Sequence, residues 1–457
     1  MALPDYAALA QKGMPAEELA NMFLRAYFSD SEPVFPINPF QVLADEGIAF
    51  SFRHFDKYEG AYIPAASPDD VPVVGINIGR PITRQRYTAA HELCHHIKDS
   101  GHDPFACKIN GQSSIERYAE SFASELLMPT NELERQVSYY LQNGTVAFDD
   151  TLRIANYFGV SFQACLYKLA YKLHVIEGDT SANSLRHRCT TFKPDKQREH
   201  LGLTHLKLYD QLFDAAEACF KVSMNPRMCQ RFKTEFIFHD SRMEGIDIDS
   251  ETAAEIVVDL RLYGNDSEFC SEENGDIIEV AGLTIAYDFV FDKSESNSEN
   301  INIYDVKHIN KLLFSTAPCP EYGGMFRQSN TLVLGAKFET IDYGDIQREM
   351  HFLDKDINTL LVDAGSLAQS DYIKRVLDIH HRLTVIHAFR DGNGRTTRAF
   401  TNLLLMRKGI APVLFRPDMK DNYKAALSYA DQMGDRSKLY EAYYKAIIES
   451  VSELTVI

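Results

Sequence analysis

Near the C-terminus two runs of helical periodicity are parted by a break only a few residues long, and that break leaves the chain few ways to fold. Apolar residues at Ile373, Val376, Leu377, Leu383 and Ile386 recur three and four apart and carry a helix up to His387. A second helix begins near Thr396 and stops at Gly409. Gly392, Asn393 and Gly394 lie between them. Small residues at a helix N-terminus let backbone N–H groups converge, and the helix dipole favours an anion there, so polyphosphate fits. Asp391 at the loop mouth is suited to hold Mg2+ against phosphate oxygens. Arg395 and Arg398, three apart on one helical face, can bind the outer phosphates, and His387 is placed to take a proton from an attacking hydroxyl.

At 457 residues the chain is expected to form two domains. The first 176 residues alternate helical patterns with one apolar strand, Val73 to Ile78, and read as an α+β unit. Residues 177–200 are polar and aperiodic and read as a linker; residues 201–457 read as mostly helical. Within that half, residues 265–300 set an apolar run between acidic, Ser- and Asn-rich flanks, which predicts an inserted strand pair. Gly323 to Gly335 predicts a hairpin.

A formal net charge of −18 repels nucleic acid phosphates, so DNA is not the expected partner. The eight cysteines are scattered without a CxxC pair, the N-terminus has no basic start followed by an apolar run, and no apolar stretch is long enough to span a bilayer. The expectation is a cytoplasmic protein without a membrane segment.

A second constellation lies near the N-terminus. Arg84 to Lys98 reads as a helix carrying His91-Glu92-Leu93-Cys94-His95, in which two imidazoles four apart share a face and converge on one tetrahedral cation. Glu92 can then polarise a bound water, and a downstream helix from Glu116 to Pro129 can present Glu116 as third ligand. A weaker pattern, Thr151 to Leu173, mimics a helix-turn-helix at Ala155, Gly159, Val160 and Ser161. With only Lys168 and Lys172 available for phosphates, it is expected to pack within the unit instead.

His387 to Arg398 resembles the Fic-family signature HxFx(D/E)GNGRxxR, with Ala388 where proline is usual. The resemblance implies AMP transfer from ATP to a Ser, Thr or Tyr hydroxyl of a target protein. His387 would be the general base, Phe389 a core anchor, Asp391 the Mg2+ ligand, and Gly392, Asn393, Gly394, Arg395 and Arg398 the nucleotide seat. Gly324 to Arg327 resembles the family's target-docking flap. Phe238 to Ile246 resembles its inhibitory motif (S/T)xxxE(G/N), which makes Glu244 the inhibitory acid, with Asp240 as a departure at the first position. A homodimer interface could hold that inhibitory helix.

The N-terminal pattern resembles the ImmA/IrrE metallopeptidases. It implies a zincin-like fold, Zn2+ on His91, His95 and Glu116, Glu92 as general base, and Glu120 orienting His91. Val73 to Ile78 would be an edge strand that holds a peptide. The substrate would be a regulatory partner such as a repressor, or the chain itself. Two other readings share these residues: a Fic enzyme running deAMPylation or phosphotransfer, and a toxin/antitoxin-like sensor whose zincin scaffold does not cut.

Overall fold

The computed structural model describes residues 5–455 apart from 30, 68, 100–104, 109–112, 222–225, 272, 297–299 and 333–338. The chain divides into two compact units, 1–219 and 220–457. Among the described residues no helix is long and apolar enough to cross a membrane.

The first unit is built on a four-stranded sheet of β1 (Ala49–Arg53), β2 (Tyr58–Ile63), β3 (Val73–Asn77) and β4 (Phe105–Lys108), in the order β1-β3-β2-β4. β3 pairs parallel with β1 and antiparallel with β2. The strand expected at an edge is therefore interior: both sides of β3 are already hydrogen-bonded, and it offers no open side to a peptide. The Ile82–Asp99 helix packs on β2 and β3 and, on its other side, against the Ser114–Leu127 helix. Covered on both sides, it buries polar as well as apolar residues, His91, Glu92 and His95 among them.

The helix-turn-helix pattern folds as one, with helices Phe148–Phe158 and Phe162–Lys168 joined at Gly159, whose φ of 66° suits glycine. Its second helix does not present Lys168 to solvent. The ammonium donates to Glu125 Oε2 at 2.7 Å and to the Met128 carbonyl at 2.5 Å. That internal pairing takes Lys168 away from solvent, while Lys172 stays exposed.

The segment expected to be a linker is helical, Ala182–Phe192 followed by Pro194–His200. Two apolar anchors suffice to hold it: Leu185 is fully buried, and the Phe192 ring stacks on Phe162 with centroids 4.8 Å apart. The first unit also runs further than expected, to residue 219. Arg86, fully buried, explains why: it donates to the Ile37 and Gly159 carbonyls at 2.5 and 3.1 Å and to Gln211 Oε1 at 2.7 Å. Gln211 lies on the Leu206–Ala215 helix, so a buried cation ties that helix to this core.

The second unit is helical, and the predicted strand pair at 265–300 is wrong: Gly275–Glu295 is one helix, capped by the Asn274 side chain. Helices Pro226–Glu244, Ser250–Tyr263, Ile303–Leu313 and Asn393–Arg407 surround it. A helix covered all round has no polar face, so its sequence lacks the amphipathic stripe and reads like a buried strand. At Gly282 an added Cβ would lie 2.1 Å from the Leu313 carbonyl oxygen. Gly282→Ala must push two helix backbones apart, and we expect it to cost about 1–3 kcal/mol, read as a lower melting temperature. An unchanged melting temperature would contradict this close crossing.

Of the predicted hairpin, residues 333–335 lie outside the described residues. The described part makes one antiparallel bridge, Phe326 to Phe389, rather than a strand.

Candidate active sites

In the second unit the Gln369–Ile386 helix ends at His387, which adopts the left-handed conformation at φ 48°. That turn redirects the chain into the loop. Burial pushes the His387 imidazole below its ordinary range, so at neutral pH it is unprotonated, the form a proton acceptor needs. Ala388 and Phe389 are buried. Asn393 clamps the loop: its Oδ1 accepts from the Phe389 N–H and its Nδ2 donates to the Phe389 carbonyl, both at 2.9 Å. Its side chain therefore shapes the cradle. Gly392, at φ 72°, caps the Asn393–Arg407 helix, which begins three residues before the expected Thr396. Asp391 is exposed at the loop mouth, its Oδ1 accepting from the Gly392 N–H at 2.6 Å. An exposed carboxylate next to the N-terminus of a helix fits Mg2+ held against phosphate oxygens.

Both arginines already have carboxylate partners. Arg398 Nη2 donates to Glu244 Oε1, and Arg398 Nε lies 2.5 Å from Asp240 Oδ1. Arg395 Nη1 lies 2.5 Å from Glu279 Oε2. Burial pushes Glu244 upward, but the Arg398 charge and hydrogen bond, with Arg395 behind, outweigh it and hold the carboxyl below its ordinary range. A Cβ on Gly394 would lie 3.1 Å from both Glu244 Oε1 and Arg398 Nη1, so the Glu244 carboxylate occupies the loop itself. Asp240, the departure from the inhibitory motif, is a second acid on the same guanidinium. It stands four residues before Glu244, and that spacing puts both on one helical face, a signal the sequence carried.

In the first unit one ligand atom each from His91, His95 and Glu116 lies within 4.8 Å of the others. His91 Nε2 is 3.0 Å from Glu116 Oε2 and 3.2 Å from His95 Nε2. Ser113 caps the third ligand's helix, its Oγ accepting from the Glu116 N–H at 3.1 Å, which fixes Glu116 in the first turn. His95 Nδ1 lies 3.0 Å from Asp99 Oδ2, so Asp99 orients that ring. The sequence reading missed Asp99 and gave such a role to Glu120. The Glu120 charge acts on the His91 imidazole, favouring its protonated form, and the Glu120 backbone carbonyl accepts from Tyr87 Oη at 3.1 Å. His91 Nδ1 has no hydrogen-bond partner among the described residues.

Glu92 is fully buried, and neither of its oxygens has a hydrogen-bond partner among the described residues. Burial, with the Glu116 charge, pushes its carboxyl well above the ordinary range. β2 crosses directly over it at Gly60, where a Cβ would come within 2.9 Å of Glu92 Oε1. A buried polar group without a partner is costly, and two imidazoles with one carboxylate are a donor set zinc takes in catalytic sites. The residues therefore fit a zinc ion.

Residues 44–170 match the family model for the IrrE N-terminal-like domain, and residues 300–405 match the Fic/DOC family. Protein adenylyltransferase fic-1 of Caenorhabditis elegans is 31% identical over 158 residues, 34% of this chain and 29% of that protein. Protein adenylyltransferase Fic of Aedes aegypti is 26% identical over 236 residues, 51% of this chain and 44% of that one. The chain thus spans less than half the length of these curated relatives. A solved structure of Fic-1 from C. elegans aligns with a TM-score of 0.44 at 20% identity, covering 71% of this chain and 91% of that one. A Fic domain containing signaling protein from Bacteroides thetaiotaomicron aligns at 0.42 and 18%, covering 50% and 87%. Residues 300–405 are thus similar to the Fic/DOC family, and residues 44–170 to the IrrE N-terminal-like domain.

Proposed function

We propose that the second unit is a protein adenylyltransferase, held in check by Glu244. The observation that carries this reading is the seat itself: the half-buried imidazole of His387 beside a glycine loop with two arginines on the helix that follows. ATP lies on residues 392–398 with its outer phosphates on Arg395 and Arg398. A Ser, Thr or Tyr hydroxyl of the target protein attacks the α-phosphorus in line and His387 takes its proton. The new O–P bond forms as the bond to the bridging oxygen breaks, and pyrophosphate leaves. Asp391 would hold Mg2+, which when bound supplies positive charge against the phosphates.

Labelled ATP tests the reading directly. Protein labelled from the α-phosphate supports AMP transfer; label from the γ-phosphate, or loss of AMP from premodified protein, refutes it. Glu244→Gly is expected to raise incorporation about 10- to 100-fold, because it frees Arg398 from one charge-assisted hydrogen bond. No gain over the parent would count against inhibition.

A depressed His387 pKa sets the sign of the pH response. The base is lost only when protonated, so activity should hold through the ordinary histidine range and fall at more acidic pH. A rate that halves near pH 7 as pH is lowered would contradict it.

The first unit we read as a zinc peptidase acting on a peptide of a regulatory partner or of the chain itself. His91, His95 and Glu116 would hold zinc, which when bound supplies a Lewis acid. Glu92, buried and unpartnered beside them, is the group to hold and pass a proton. The order in which the two activities act is a matter of coupling, which self-cleavage tests: mass measurement with and without a chelator would reveal a cut.

A further inference from the structure

A fully buried asparagine on a helix that contributes nothing to the signature touches both halves of the Fic machinery. The Ile303–Leu313 helix is fixed at its start by a capping box of Asn302 and Asp305. Its buried face is otherwise largely apolar, with Val306, Ile309 and Leu313, and Asn310 among them is 1% exposed. An amide there is costly unless every polar atom is met. Asn310 Nδ2 donates to the Asp391 carbonyl at 3.1 Å and to Thr396 Oγ1 at 3.0 Å, and its Oδ1 accepts from the Gly324 N–H at 2.8 Å. A carbonyl can be met only by a donor and an N–H only by an acceptor, so these contacts fix which way the amide points.

The three partners fall in two segments that are far apart in sequence and close in function. Asp391 and Thr396 flank the nucleotide loop, and Gly324 opens the segment that resembles the target-docking flap. Both segments rest on the same helix. At Gly392 a Cβ would lie 2.9 Å from the Phe314 ring and 3.2 Å from Asn310 Nδ2; at Gly324, with φ +73°, it would lie 2.7 Å from the Lys307 carbonyl oxygen. The far end of the flap segment is stitched to the loop as well, Arg327 N–H to the Ala388 carbonyl at 2.9 Å and Arg327 Nε to the His387 carbonyl at 2.8 Å.

We propose that Asn310 is a positioning residue for the transfer reaction: it sets the nucleotide loop and the target-docking flap in one register, without touching either substrate. This rests on the transferase reading above. Each arm of the amide serves one substrate, Nδ2 the nucleotide and Oδ1 the target, so the two arms are separable by mutation.

The test uses the full chain carrying Glu244→Gly, with α-labelled ATP, calorimetric Mg·ATP binding and amide hydrogen exchange. Asn310→Ala is expected to lower incorporation about 100-fold at saturating ATP, the scale of a 1 Å misplacement, and to speed exchange at Gly324 and at residues 393–395. Asn310→Asp keeps an oxygen for the Gly324 N–H but turns an acceptor toward the Asp391 carbonyl. It should weaken Mg·ATP binding and speed exchange in the loop while Gly324 exchanges as in the parent. Thr396→Val removes one loop contact and should reproduce part of the nucleotide defect alone. Losses in all three variants that follow only the melting temperature, or Asn310→Asp slackening loop and flap equally, would overturn the proposal. Should the parent itself incorporate no label, the transferase reading fails, and the exchange pattern still decides whether Asn310 couples the two segments.

Discussion

His387→Ala, placed in a chain already carrying Glu244→Gly, is expected to lower AMP transfer by about 10²–10⁴-fold, the range that a positioned general base contributes. The released background matters, because Glu244 lies in the loop beside Gly394 and, on the inhibitory reading proposed above, would mask any further loss. Nucleotide affinity should change little, since the imidazole takes no part in the phosphate contacts assigned to Arg395 and Arg398. The expected signature is thus a fall in turnover with Mg·ATP binding retained. Equal turnover in the two chains would remove His387 from the mechanism. Asp240 is the wrong place to seek the same release. It is buried against Arg398, and Asp240→Ala would leave a buried guanidinium short of a partner, a change that costs about 3–5 kcal/mol in comparable ion pairs.

Glu244 and Asp240 show which parts of the nucleotide site sequence can reveal. The loop was legible because its residues are contiguous and each has a local reason: His387 ends one helix, Gly392 takes a positive φ, and the next helix starts at once. Asp240 was readable in principle, four residues from Glu244, yet the motif presented it as a departure rather than as a second acid on Arg398. Asn310 and Glu279 were not readable, because they meet the loop from positions 81 and 116 residues away along the chain. At the candidate metal site His91 and His95 were paired by helical spacing, whereas Glu116, on another helix, was joined to them by the family resemblance. Asp99, also four residues from His95, was passed over in favour of Glu120.

The fold failed at places where sequence records burial but not topology. The alternation in Val73–Asn77 shows a strand but not how many neighbours it has, and β3 proves to have two. Gly275–Glu295 lost its helical stripe because four helices cover it. Residues 182–200 looked like a linker because a helix on the surface of a unit needs only a Leu185 and a Phe192 to hold it.

The largest effect expected in the first unit is on metal. Purified chain should take up zinc in a one-to-one ratio, and His91→Ala, His95→Ala or Glu116→Ala should each abolish that uptake, since a catalytic zinc held by three protein ligands is seldom retained by two. Asp99→Ala leaves all three ligands in place and frees only the His95 ring, so it should weaken zinc affinity by about 10–100-fold rather than abolish it. Melting temperature gives an independent readout. Zinc at a thousand times its dissociation constant stabilises the native state by about 4 kcal/mol, a shift that should appear in the parent and vanish in His91→Ala. Glu92→Gln separates binding from chemistry: its side chain is buried beside the ligands but is not one of them, so zinc uptake and the thermal shift should persist while any peptide or self-cleavage is lost. Were the parent to bind no zinc and show no thermal shift, the convergence of two imidazoles and a carboxylate would be a structural network only, and the peptidase reading would fall with it.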